Sequence, residues 1–280
     1  MKENRRYLLI IVMLMILLLY STVIHSLWVI ILAVLNCCAA LLTEYLFMLK
    51  RKRTRQLSYD TLITAMLFTL VLPPFTPLEV SLIGIVFGIF FGKCVYGGSG
   101  YTIFNPALVG RVFLHASFTK PMTTIWLDQY IGGVGISDIP MDKTIAVLII
   151  LMGLLLLSKK VISIYISGSI LVTYGLLTVG GYMLTLGNQM SPADSLLSGG
   201  VLLGALFMAV DPVTSPKNQS AQILYGLIIG SLVYIIRSFS TTQGAIVFAI
   251  LIGNMLTPII DISVDTLAKS QAQKRGESLE

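Results

Sequence analysis

Two almost uninterrupted apolar runs stand at the start of the chain, residues 7–24 and 27–49, with only His25 and Ser26 between them. Each is long enough to cross the hydrocarbon core of a bilayer, which takes roughly 20 residues of helix. The first run lacks the small-residue cleavage site of a secretory leader, and a second run follows at once, so it reads as a retained helix. Only 11% of the residues are charged and 56% are hydrophobic. A soluble domain carries about 25% charged residues, so the whole chain falls in the membrane class.

Apolar runs and helix breakers together mark about ten helices, near 7–24, 27–49, 61–72, 79–96, 106–118, 144–157, 161–185, 196–210, 220–236 and 244–260. The expected fold is an all-α polytopic membrane protein. Several segments are shorter than a full span, as tilted, broken or half helices are. The formal charge of +6 does not point to nucleic acid, because the basic residues sit at the ends of apolar runs. With the N-terminus in the cytoplasm, the inner segments hold Lys2, Arg5, Arg6, the cluster from Lys50 to Arg55, Lys93, Lys159, Lys160, Lys217, Lys269, Lys274 and Arg275. The outer segments hold only Lys120, Lys143 and Arg237. That bias follows the positive-inside rule and predicts both termini inside.

The run LFTLVLPPFTPL from Leu67 returns as LFMAVDPVTSPK from Leu206, with Pro73 and Pro77 falling on Pro212 and Pro216. The first copy ends its helix outside and the second inside, so the chain reads as two inverted five-helix repeats with broken helices. The boundaries are about 1–118 and 144–260, with an outer loop at 119–143 and a cytoplasmic tail at 261–280 that reads as disordered. Such architectures place binding sites near the membrane midplane. Thr76-Pro77-Leu78-Glu79 reads as a capping box, and Ser215-Pro216 as the same cap without the glutamate. Asp211 stands where the first copy has Leu72. An ionisable residue at membrane depth is a functional hypothesis; at the interface it is only a cap.

A second stretch, KCVYGGSGYTIFNPALVGR, contains Gly97, Gly98 and Gly100, then Asn105-Pro106 as N-cap and first helical residue. Exposed backbone N–H groups, a helix N-terminus and the cations Lys93 and Arg111 make it a candidate cradle for a phosphorylated cofactor or an anionic substrate. The other reading is a tight re-entrant turn with Arg111 paired to a carboxylate or carbonyl. The three cysteines form no C-x-x-C pair and the only histidines are His25 and His115, so no metal site and no hydrolytic triad is expected.

The strings LITAMLFTLVLPPFTPL, FGKCVYGGSGYTIFNPALVGRVFL, LFMAVDPVTSP and AILIGNMLTPIID, in this order, resemble the membrane subunit family of RnfD and NqrB. The resemblance implies an integral membrane electron carrier bearing a flavin, in the bacterial or archaeal plasma membrane. Such a chain is no enzyme alone; it works with other membrane and peripheral subunits of an electron-transport complex that couples to Na⁺ or H⁺. Members of that family carry FMN on a threonine of an SGAT motif in the outer loop. Here Ile136-Ser137-Asp138-Ile139-Pro140-Met141 corresponds, with Ile139 at the acceptor position. Thr123 and Thr124 lie nearby without the motif. No covalent flavin is expected at Ile139, and FMN or riboflavin would be held noncovalently. The expected binding residues are Lys93, Gly98, Gly100, Asn105, Arg111, Asp211, Thr214 and Ser215. A small-solute transporter or channel, or a cofactor-free anchoring subunit, is the alternative on the same scaffold.

Overall fold

The computed structural model describes residues 2–50, 58–122, 143–186, 191–198, 200–240 and 244–275. Every regular element among them is helical: α1 (Lys2–Ile24), α2 (Trp28–Lys50), α3 (Tyr59–Val71), α4 (Leu78–Ile89), α5 (Pro106–Ser117), α6 (Lys143–Ser158), α7 (Ile164–Met183), α8 (Pro192–Leu197), α9 (Val201–Leu203), α10 (Gln219–Phe239) and α11 (Ala245–Arg275). The chain is thus an all-α membrane protein. By length and apolarity, α1, α2, α7, α10 and the first part of α11 suffice to cross a bilayer unaided. The shorter α3 and α6 are apolar as well.

Most helix boundaries fall within a few residues of those expected, but the single helix expected over 196–210 is divided into α8, α9 and a π turn, and the last helix runs past 260 to Arg275. The two breaks form where the prolines put them. The helix α3 stops at Val71, with Leu72 extended at ψ 153°, because Pro73 and Pro74 offer no N–H to continue it. The capping box expected at Thr76 does not form. Its hydroxyl turns back to the Pro73 carbonyl at 2.6 Å, and no side chain caps α4. The second break differs too: Ser215 donates to the Asp211 carbonyl at 2.7 Å. The next helix, α10, starts on Asn218, whose side chain accepts from Ser220 N at 3.1 Å. Asparagine there does what serine was expected to do three residues earlier.

Two wide turns were not foreseen. The helix α4 runs into a π turn at Phe90–Cys94, and α9 into another at Gly204–Met208. Each inserts a residue into the helical ladder, a device that recurs beside functional sites. Beyond the first π turn, Gly97, Gly98 and Gly100 all take positive φ, between 86° and 127°, conformations closed to other residues without strain. The polar tail expected to be disordered is instead helical through Arg275. Its composition of Ala, Lys, Gln and Leu favours helix, and Pro258 is accommodated inside α11.

Within the first half α2 packs on α3 and α4, and α4 on α5; in the second, α7 packs on α10 and α10 on α11. Close approach rests on glycine: a Cβ on Gly92 would lie 2.8 Å from Pro106 Cα. Between the halves, α1 meets α6 and α5 meets α11.

Candidate functional site

Where the halves meet, a cavity of about 190 Å³ opens. Arg6 and Tyr7 of α1, Asp60, Thr64 and Leu67 of α3, and Lys93 of the first π turn line one side. Asn105, Phe207, Val210 and Asp211 line the other. Apolar walls thus carry a few convergent polar groups, the usual make-up of a ligand site.

Lys93 reaches this cavity but is not free in it. Only 1% of its side chain is exposed, and its ammonium lies 2.9 Å from Glu44 Oε1 and 3.0 Å from Asp60 Oδ2. It also donates to Ser58 Oγ at 3.0 Å and to Thr61 Oγ1. Glu44 on α2 in turn accepts from Ser58 at 2.8 Å and from Thr61 at 2.6 Å. Such pairing is the condition under which a charge can be buried at all. The ammonium therefore ties α2 and the start of α3 to the end of α4, with no donor left over for a phosphate. Glu44 went unnoticed in the sequence, although a carboxylate inside an apolar run was itself the signal.

Asn105 plays the cap expected of it, accepting from Ala107 N at 3.1 Å. It also joins the halves. Its N–H donates to Asn254 Oδ1 at 3.2 Å and its amide to the Met208 carbonyl at 3.3 Å. Asn254 in α11 continues the network to Tyr225 OH at 2.9 Å and to the Thr214 carbonyl at 3.3 Å. Asp211 closes its own turn: Val213 N and Thr214 Oγ1 both donate to its carboxylate at 3.2 Å. Of the expected residues, then, Lys93, Asn105 and Asp211 share the cavity. Thr214 and Ser215 lie behind it as buried parts of the break, while Gly98 and Gly100 belong to a turn in which Gly98 N–H bonds the Lys93 carbonyl at 3.1 Å.

Arg111 is buried elsewhere. Its Nε donates to the Val71 carbonyl at 3.1 Å, capping α3 where the prolines leave that carbonyl without a helical donor. Thr123, Thr124 and Ile139 lie outside the described residues. No group of three or more His, Cys, Asp or Glu among the described residues could hold a metal ion.

An all-helical membrane chain, broken in two places around an inter-half cavity, is the class this geometry defines. A sequence profile of the NQR2, RnfD, RnfE family matches residues 2–268, and the chain belongs to that family. It is 32% identical to a Stutzerimonas stutzeri protein named as a subunit of an ion-translocating oxidoreductase complex, over 83% of this chain and 82% of that one. It is 30% identical to the protein so named from Alcanivorax borkumensis, over 84% and 81%, and to that from Salmonella arizonae, over 81% and 83%.

A flavin mononucleotide fits these residues only in part. With Lys93 consumed, Arg6 is the remaining cation lining the cavity among the described residues. The volume of about 190 Å³ is below the roughly 300–1,000 Å³ of common small-molecule sites. The apolar side chains Leu67 and Phe207 line the cavity, but Lys93 has no donor left for a phosphate.

Proposed function

We propose that this chain is the integral membrane component of an ion-translocating oxidoreductase complex, working with other membrane and peripheral subunits in a bacterial or archaeal plasma membrane. The observation that carries the reading is the inter-half cavity, with its apolar walls and buried polar rim, in a chain whose relatives are named for such a complex. A flavin held noncovalently there, ring first, would accept and donate electrons. The chain's own residues orient it: Asn105 and Thr102 offer polar groups to the ring edge, Leu67 and Phe207 cover its faces, and Arg6 stands at the rim. Coupling to Na⁺ or H⁺ movement belongs to the complex.

The same reading includes about ten crossings, both termini cytoplasmic, and two inverted five-helix halves at about 1–118 and 144–260. The symmetric pairings support it, since first helix packs on first (α1 on α6) and last on last (α5 on α11). A second cation strut supports it further. Arg237 near the end of α10 donates to Tyr174 OH of α7 at 2.6 Å and to the Ser195 carbonyl at 2.7 Å. Lys93 makes the same kind of tie between the corresponding helices of the first half.

The test is Leu67→Trp, which fills the cavity from α3. Flavin recovered with the purified complex should fall severalfold while the subunits still co-purify. Flavin content unchanged by this substitution would place the ligand elsewhere and end the cavity reading.

A further inference from the structure

Arg111 is a buried cation with no carboxylate paired to it among the described residues. Only 3% of it is exposed, its Nε donates to the Val71 carbonyl, and its buried Nη1 has no partner. Glu44 and Asp60 are both engaged by Lys93 at the start of α3, the opposite end of that helix from the Val71 carbonyl. The helix end that Arg111 caps supplies a partial negative charge only, and burying an uncompensated ion is costly.

One turn further along α5, His115 presents a second buried nitrogen, Nδ1, also without a partner. Residues four apart share a helix face, so the two side chains leave α5 on the same side. The His115 ring stands edge-on to Phe248 of α11 with centroids 5.9 Å apart, and α5 lies so close to α4 that a Cβ on Gly110 would meet the Gly84 carbonyl.

We propose that Arg111 and His115 form a binding site for a small inorganic anion of chloride size, between α3, α5 and α11. With its proton on Nδ1, His115 donates one hydrogen bond and Arg111 Nη1 a second, and the anion neutralises the guanidinium. A water molecule would fill the same hydrogen bonds but leave the charge. The site is separate from the cavity assigned to flavin, which Arg111 does not line, and it stands whether or not flavin binds.

The test uses the intact complex in detergent, with sodium chloride exchanged for sodium gluconate at constant ionic strength. Chloride should raise the thermal midpoint, as any ligand of the folded state does. The dependence should vanish in Arg111→Met, and half-saturation should move up about tenfold in His115→Phe, a loss of about 1.4 kcal/mol. Should Arg111→Met fail to fold, bromide decides: an anomalous peak between Arg111 Nη1 and His115 Nδ1 supports the site. A wild type that melts identically in both salts, a chloride effect that survives Arg111→Met, or a site holding only water overturns the proposal.

Discussion

Replacing Lys93 with methionine keeps an unbranched side chain, one heavy atom shorter, and removes the charge at the centre of the α2–α3–α4 junction. The cost follows from burial. Glu44 and Lys93 have side chains only 5% and 1% exposed, and leaving one member of such a pair alone in a dry interior costs about 3–5 kcal/mol. Asp60, with 31% of its side chain exposed, adds only about 0–1 kcal/mol. Glu44→Gln should cost less, about 1–3 kcal/mol, because Ser58 and Thr61 can still donate to the amide oxygen and Lys93 keeps Asp60. The double variant removes both charges, so its loss should fall short of the sum by at least about 1 kcal/mol. Equilibrium unfolding of the purified chain in mixed micelles measures all four corners of this cycle. If Lys93→Met costs under about 1 kcal/mol, or the two losses simply add, the strut is not what holds the junction. Unaltered stability with loss of flavin would return Lys93 to the ligand role.

Asn254→Leu removes the partner of Asn105 N, Thr214 O and Tyr225 OH. It should destabilise by about 2–3 kcal/mol and weaken contact between the halves, visible as faster proteolysis of the solubilised chain. Gly88→Val would drive a branched side chain into the Pro106 carbonyl, so α4 and α5 should separate and the yield of folded protein in membranes should collapse. In the turn between α1 and α2, burial holds the His25 imidazole down to about 4, against an ordinary value of about 6.5. The folded state therefore prefers the neutral ring: stability is full above about pH 6.5 and declines as the pH falls from there toward 4. His25→Gln should flatten the acid limb of a thermal-midpoint profile; an unchanged limb would assign acid sensitivity to other groups.

Helix positions and breaks were legible because they depend on local chemistry. Apolar length sets where a helix can cross, and Pro73, Pro74 and Pro106 act within a residue or two of themselves. The caps were legible as residue types but not as partners. Thr76 and Ser215 each had a nearer acceptor in a turn carbonyl, so neither capped the helix that follows it. The cavity's residues Lys93, Asn105 and Asp211 were marked in advance, yet what Lys93 does depends on Glu44 on α2, a partner 49 positions away. No local pattern reports such a pairing. Likewise the pairing of Asn105 with Asn254, 149 residues apart, exists only once the halves have docked. The helical tail past Asp261 is hidden for another reason: its polarity resembles that of a disordered end, although the segment is rich in helix formers.

The noncovalent flavin is the central claim, and one measurement meets it most directly. The complex is purified in mild detergent, its visible spectrum recorded, then denatured and run on a gel viewed for flavin fluorescence. The account predicts flavin absorption in the native sample and a chain that is dark on the gel, with the flavin in the released fraction. Fluorescence staying with this chain would show a covalent acceptor other than Ile139. A complex that holds no flavin in either fraction would contradict the account outright.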